Sequence, residues 1–276
     1  MASCAKQSPP QKPLIHTTKG FDAVYGELPP LPIPAPCHAT VAWFPSSIEP
    51  DKFRPVPIFI VEQGKEEKLV VRTLIRGIEG DGGSVGELVK EIVYPFPRGS
   101  DLVSLSYERN EAKVVVGGKY RADSLSSVQK DKAAKALALT VSQFGKADRV
   151  EVADESGKVR FRGEAGGTET VDIGPPRALG LMAIREDGDQ PPGVLSVLFD
   201  RPVFVEDAAF YPPGGTAPYA GKAYSTGFGM TLELHPEPKT AFDPSGEYRV
   251  RLTVRDGKGR RASEEKSFVP KEVTRH

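Results

Sequence analysis

The chain of 276 residues has little of what metal and redox sites require, since it contains two cysteines and four histidines. Two cysteines cannot supply the two Cys pairs of a structural zinc site. The histidines are scattered, and they stand at His16, His38, His235 and His276. We therefore expect no metal site and no cofactor.

The chain also lacks an excess of charge of either sign, because 37 Lys and Arg are matched by 37 Asp and Glu. A balanced chain has no bulk attraction for a phosphate backbone, so nucleic acid is not an expected partner. No run approaches the roughly 20 apolar residues that span a bilayer. The P-loop and His-Glu-x-x-His, two common catalytic motifs, are missing too. These absences favour a protein that is not an enzyme.

Proline and glycine are abundant, at 26 and 28 residues, which favours turns, short strands and extended segments. Residues 28–36 alternate proline with apolar residues, a pattern typical of polyproline II. We expect residues 1–36 to form a proline-rich tether. The alternative is a segment that packs along the first domain, which the aromatic residues Phe21 and Tyr25 would suit.

The sequence Met1-Ala2-Ser3-Cys4 is similar to the end of a bacterial lipoprotein cleavage site, where small residues precede the cysteine that receives the lipid. Met1 stands where leucine is usual. The resemblance implies a lipid anchor on Cys4, with the tether as a spacer above the membrane. Two alternatives remain open, a chance match and a disulfide between Cys4 and Cys37.

Residues 37–162 predict an α+β domain, a small mixed sheet with two helices on one side. Helical spacing covers 66–78 and 128–144, and a hairpin covers 102–116. Strands are predicted at 38–44, 56–61 and 149–153.

Three segments of this domain resemble the GerMN family of sporulation, germination and other envelope proteins. They are Tyr94–Ser106, Asn110–Val116 and Ala136–Val152. The resemblance implies a fold like the ring-building modules of envelope assemblies, which act by protein contact. The family's acidic ending of the hairpin is replaced here by Val115-Val116-Gly117-Gly118.

Residues 163–177 are predicted to be a linker, and residues 178–276 a β-sandwich of about seven short strands. The segments 199–203, 246–250 and 256–260 resemble bacterial immunoglobulin-like domains. The Cys pair of antibody domains is absent.

An unusual loop carries Phe210, Tyr211 and Tyr219 around a Pro-Pro-Gly-Gly sequence. We expect these aromatics to contact a partner or a glycan; the alternative is that they are buried anchors. The acidic pairs Asp154-Glu155 and Asp187/Asp189 lie in glycine-containing turns, where carboxylates usually bind backbone or water.

Together these features predict a cell-envelope lipoprotein, membrane-anchored and facing the periplasm or the cell exterior. Its role would be that of a scaffold or protein-interaction module whose partners are other envelope proteins or further copies of itself. The alternative is a factor that binds cell-wall glycan or processes peptidoglycan.

Overall fold

The protein is described by a computed structural model, which covers residues 15–30, 36–61, 64–78, 85–186 and 190–275. The first domain contains β1 (Ile15–Thr17), α1 (Lys19–Val24), β2 (Cys37–Pro45), β3 (Phe53–Ile60), α2 (Glu66–Arg76), α3 (Val85–Lys90), β4 (Ser100–Glu108), β5 (Glu111–Gly118), α4 (Ser127–Ser142), β6 (Arg149–Asp154) and β7 (Val159–Glu164). The second contains β8 (Ala178–Arg185), β9 (Val194–Phe199), β10 (Phe204–Tyr211), β11 (Gly221–Thr226), β12 (Thr231–Pro236), β13 (Tyr248–Arg255), β14 (Arg261–Phe268) and β15 (Lys271–Thr274). Short 3₁₀ turns lie at Ala122–Ser124 and Gly227–Gly229.

The first domain is the expected α+β domain, but its strands form two sheets. One has the order β1-β2-β3, and the other is the mixed sheet β4-β5-β6-β7, in which β5 and β6 are parallel. The helix α2 contacts β2 and β4, while α4 contacts β2 and β7. The two helices therefore lie between two sheets, where the sequence predicted one sheet with helices on one side.

Side chains at the end of α4 fasten this helix to β2. Because β1 pairs only with residues 37–39, the rest of that edge of β2 needs other hydrogen-bond partners. Gln143 accepts from Val41 N–H at 2.9 Å and donates to Val41 O at 2.7 Å. Thr140 Oγ1 accepts from Trp43 N–H at 3.1 Å. Polar residues of the helix thus complete the backbone hydrogen bonding of the strand.

The second domain is a β-sandwich, as the sequence predicted. A five-stranded sheet of order β11-β12-β9-β8-β15 packs on a three-stranded sheet of order β10-β13-β14. In β13 the inward side chains are all buried, and they are Tyr248, Val250, Leu252 and Val254. The alternation of apolar and polar residues in that strand places one face in the core.

The prediction of a tether over residues 1–36 needs correction at residues 15–30, while residues 1–14 and 31–35 lie outside the described residues. β1 pairs in parallel with β2, and α1 follows with Thr18 as its N-cap. Phe21 and Tyr25 are buried, and the Tyr25 hydroxyl donates to Pro55 O at 2.9 Å. Residues 15–30 therefore belong to the first domain, as the alternative reading had it. None of the described helices is both long and apolar enough to span a bilayer.

Candidate functional site at the domain junction

Glu91 connects the two domains by binding one arginine from each side of the junction. It follows α3, while Arg54 lies in β3 and Arg177 directly precedes β8. Arg54 Nη2 lies 2.5 Å from Glu91 Oε2. Arg177 donates from Nη1 and Nη2 to the two Glu91 oxygens, both at 2.9 Å. The hydrogen bond to Glu91 raises the pKa of Arg177, so this guanidinium is a permanent cation.

Asp200 and Arg201 continue the network inside the second domain. Arg177 donates its backbone N–H to Asp200 Oδ1 at 3.1 Å. Arg201 binds the two Asp200 oxygens at 3.1 and 2.9 Å. Its Nη1 and Nη2 also donate to Gly174 O and Ile173 O at 2.9 and 2.6 Å. Arg201 is 1% exposed, so a charged side chain at the centre of the junction is fully enclosed by acceptors.

Asp256 and Arg260 carry the network back to the first domain. Arg201 Nη1 lies 3.4 Å from Asp256 Oδ2, which also accepts from Arg260 Nε at 2.6 Å. Arg260 Nη2 donates to Val24 O, at the end of α1, at 2.6 Å. We name this network the junction ion chain, formed by Arg54, Glu91, Arg177, Asp200, Arg201, Asp256 and Arg260. It contains four cations and three anions. It starts at Arg54 in the first domain, and its last member, Arg260 of the second domain, binds the Val24 carbonyl oxygen of the first.

The junction ion chain is an element of specificity more than of net stability. Desolvation of buried ions offsets much of their mutual attraction. Loss of one partner, however, leaves an uncompensated buried charge, which costs about 3–5 kcal/mol. An arrangement of the two domains that separates these groups is therefore strongly disfavoured.

Backbone contacts also fix the segment between the domains, which covers the predicted linker 163–177. The Val171 N–H donates to Phe53 O at 2.9 Å. A parallel bridge joins Gly26 to Gly257, where a Cβ atom at Gly257 would come within 2.1 Å of the Glu27 carbonyl oxygen. Only glycine permits this approach. The domains are thus connected by hydrogen bonds on two sides of the junction.

A cleft of about 620 Å³ opens at the junction, beside the junction ion chain. Its walls include Arg54, Glu91 and Arg177, together with Ile173 and Glu264. Clefts between domains are frequent ligand sites. Arg54 is 6% exposed, and its Nε has no hydrogen-bond partner within the described part of the chain.

The carboxylates around this cleft are engaged by other groups. Glu91 binds two arginines, and Glu264 accepts from Ala178 N–H at 2.9 Å and lies 2.8 Å from Lys266 Nζ. These contacts hold both carboxylates in place. Across residues 15–30, 36–61, 64–78, 85–186 and 190–275, no cluster of three metal-ligating side chains occurs.

The aromatic residues of the expected contact loop serve the core of the second domain. Phe210 is 2% exposed and Tyr211 is 7% exposed, with the Arg249 guanidinium 4.4 Å above the Tyr211 ring. The half-buried Tyr219 packs edge-to-face on Phe242, with ring centroids 5.3 Å apart. A glycan-stacking platform needs open ring faces. The expectation of a contact surface is therefore corrected at Phe210 and Tyr211, which are buried anchors. At the half-buried Tyr219 it stays a prediction.

The proposed lipid-anchor residue, Cys4, lies outside the described residues. Cys37 is a buried, free cysteine at the start of β2, and its burial raises the pKa of the thiol. This thiol is a small apolar side chain of the core rather than a nucleophile.

Sequence reasoning missed the junction ion chain, although it had singled out two of its segments. The segments 199–203 and 256–260 carried the immunoglobulin-like resemblance, with no function assigned to their charged residues. The available signal was Asp200-Arg201 directly after the fully buried strand β9. Charges at that position need buried partners, but a sequence does not show which ones.

No family model matches the chain, and no curated protein matches it. Among solved structures, the first GerMN domain of the sporulation protein GerM from Bacillus subtilis is similar over 49% of this chain and 93% of its own, at 12% identity and a TM-score of 0.33. The tandem GerMN domains of that protein are similar over 66% of this chain and 57% of their own, at 10% identity and a TM-score of 0.35. Both matches are to GerMN domains. Their low identities and TM-scores give them no weight in assigning a function.

Proposed function

We propose that this chain is a non-enzymatic scaffold of the bacterial cell envelope, anchored to a membrane through a lipid on Cys4. In this proposal it binds other envelope proteins, including further copies of itself, on the periplasmic or outer side of the membrane. Its two domains act as one rigid body that presents binding surfaces at a fixed separation.

The observation that carries this proposal is the junction ion chain. A protein whose domains act independently needs no buried charges that bridge them, because interfaces between mobile domains resemble transient contacts. Here Arg201 is fully buried and binds the segment before β8, which is also bound at both of its ends. A fixed arrangement of two domains suits a protein that holds its binding partners at set positions.

The test is crosslinking in intact cells of the source bacterium, combined with mass analysis of the N-terminus. We expect the wild-type chain in the membrane fraction, with a diacylglyceryl group on Cys4 and a reproducible set of protein crosslinks. The Arg177→Ala variant, which loosens the junction, is expected to lose part of that set. The control is Arg162→Ala, which removes an exposed arginine that binds Glu151 on β6, away from the junction. This variant should keep the full set of crosslinks.

An unmodified N-terminus in the soluble fraction would contradict the anchor. A wild-type chain without reproducible protein crosslinks would contradict the scaffold.

A further inference from the structure

The outer face of the three-stranded sheet β10-β13-β14 carries a group of arginines. In β13 the inward side chains are buried, so Arg249, Arg251 and Arg255 point away from the core. Arg261 of β14 lies opposite Arg255 on the same face. The side chains of these four arginines are between 40% and 63% exposed. We name this surface the arginine face, and its charged residues are Glu206, Asp207, Arg249, Arg251, Arg255, Arg261 and Glu265.

Aromatic rings hold two of these arginines in place. The Arg255 guanidinium carbon lies 4.1 Å from the centroid of the Phe204 ring, and that of Arg249 lies 4.4 Å from the Tyr211 ring. The attraction between a cation and a ring face favours this arrangement. A guanidinium that is already ordered on a ring loses less conformational freedom when it binds a ligand.

The carboxylates of the arginine face do not use up its hydrogen-bond donors. Charge-assisted hydrogen bonds from nitrogen to a carboxylate are about 2.7–2.9 Å long. Three of the ion pairs on this face are longer, at 3.4, 3.6 and 3.6 Å, and they are Arg249–Glu265, Arg251–Asp207 and Arg255–Glu206. Four arginines against three carboxylates also leave one positive charge in excess.

The excess charge is located at Arg255 and Arg261, which are direct partners across β13 and β14. Both bind the same carboxylate, that of Glu206, with Arg261 Nε at 2.9 Å and Arg255 Nε at 3.6 Å. Neither arginine has another ion-pair partner among the residues that the structure describes. Like charges directly opposite each other destabilise a sheet. A second carboxylate from outside would compensate this pair.

We propose that the arginine face binds an acidic segment of a protein partner, with one carboxylate of that segment between Arg255 and Arg261; the proposal rests on the scaffold function above. The planar fork of a guanidinium binds a carboxylate through two hydrogen bonds. Arg261 also forms part of the wall of the junction cleft, so the bound segment would border the junction of the two domains.

The spacing of the arginines fits an extended acidic peptide. Arg249 and Arg251 are two residues apart in one strand, which places them roughly 7 Å apart along it. Acidic side chains two residues apart in an extended peptide have the same separation. A nucleic acid, which carries a negative charge on every nucleotide, would also meet the carboxylates of Asp207 and Glu265.

The experiment is an NMR titration of the isotope-labelled full chain with a peptide of four Glu-Thr repeats. We expect saturable shifts of the amides of Arg251, Arg255 and Arg261. Arg261→Gln removes one charge of the pair, and we expect about tenfold weaker binding. The control is Arg162→Gln, because the Arg162 side chain is also 63% exposed and also binds a glutamate, in the first domain. This control should leave the affinity unchanged.

Glu206→Gln should have the opposite effect. This variant removes the carboxylate that competes with the peptide for both arginines, so we expect about tenfold tighter binding. Glu108→Gln makes the same change in net charge at an exposed residue of β4 and should have no effect. Equal tightening in the two variants would show that only the net charge matters, and it would overturn the proposal.

Two further probes test the nature of the ligand, a peptide of four Gln-Thr repeats and an oligothymidylate. No saturable shift with the acidic peptide, equal binding of the neutral peptide, or tighter binding of the oligothymidylate would overturn the proposal. Because the probe is a short peptide, this test is independent of the crosslinking. Peptide binding without protein crosslinks would refute the scaffold alone, and crosslinks without peptide binding would refute this site alone.

Discussion

Arg201 donates from Nε and Nη2 to both carboxylate oxygens of Asp200, its neighbour in sequence, although the two side chains are only 1% and 2% exposed. Residues that adjoin in a regular strand point to opposite faces. Here the pair lies just beyond the end of β9, where the chain leaves the sheet and both side chains turn into the domain junction. The pair therefore binds the core of the second domain to the segment that joins it to the first.

Arg201→Ala should destabilise the protein strongly. The variant leaves Asp200 and Asp256 buried with fewer partners and removes two hydrogen bonds to the segment before β8. We expect the free energy of unfolding to fall by about 3–5 kcal/mol, measured by urea denaturation. Arg251→Ala is the matched control, because Arg251 binds Asp207 at 3.6 Å on the surface. That exposed pair should contribute at most about 1 kcal/mol to the free energy of unfolding. Equal losses of stability in the two variants would argue against the junction ion chain.

Arg177→Ala should release the segment that joins the domains without unfolding either of them. The Arg177 side chain binds Glu91 on one side and, through Nε at 3.3 Å, Asp200 on the other. Its loss removes this side-chain connection, while the backbone hydrogen bond to Asp200 remains. We expect faster proteolytic cleavage within residues 165–177 and an unchanged far-ultraviolet circular dichroism spectrum. Cleavage at the wild-type rate would show that the segment is held by other contacts.

Gly257→Ala should weaken the junction by steric conflict. The added methyl group would approach the Glu27 carbonyl oxygen to 2.1 Å, so the backbone of one domain must move. We expect a loss of about 1–3 kcal/mol in the free energy of unfolding. Gly166→Ala serves as the control, since nothing lies within 4 Å of the new methyl group there. A Gly257→Ala variant as stable as this control would mean that the bridge between Gly26 and Gly257 does not form.

Asp101 should make the first domain sensitive to acid. Arg76 and Arg72 of α2 both bind its carboxylate, with the shortest contacts at 2.6 and 2.9 Å. Their hydrogen bonds hold the pKa of Asp101 well below its usual range. Because the folded pKa is lower than the unfolded value of about 3.9, the stabilisation is fully present above that value. It is lost as the pH falls toward the folded pKa.

We therefore expect the difference in stability between wild type and Asp101→Asn to shrink as the pH is lowered from about 5 to about 2. Thermal denaturation at a series of pH values measures this difference. A constant difference across the range would show that the two arginines do not lower the pKa of Asp101.

The periodic elements were predictable from the sequence, and the reasons are local. β13 alternates along Tyr248–Arg255, and α4 presents an apolar stripe that includes Leu137 and Val141. Each pattern depends on one element and one buried face. The hairpin of β4 and β5 was predictable for the same reason.

The features that depend on long-range pairing were not predictable. The helix α1 has only six residues and β1 only three, so neither is long enough to show a periodic pattern. Both elements are held by residues that are distant in sequence. β1 pairs with β2, and the hydroxyl of Tyr25, at the end of α1, donates to Pro55 O. The partners of Arg201 are likewise set by how the two domains meet. A single sequence indicates that a buried charge needs a partner, but not where the partner lies.

A distribution of distances between the domains shows whether the two domains keep a fixed arrangement. Spin labels would be placed at Glu108→Cys and Ser267→Cys, exposed sites in β4 and β14, in a Cys4→Ser/Cys37→Ser background. Double electron–electron resonance would then report the distances between the domains. We expect one narrow distribution in the wild-type background and a broader one after Arg177→Ala. A broad or multiple distribution before that substitution would contradict the rigid scaffold.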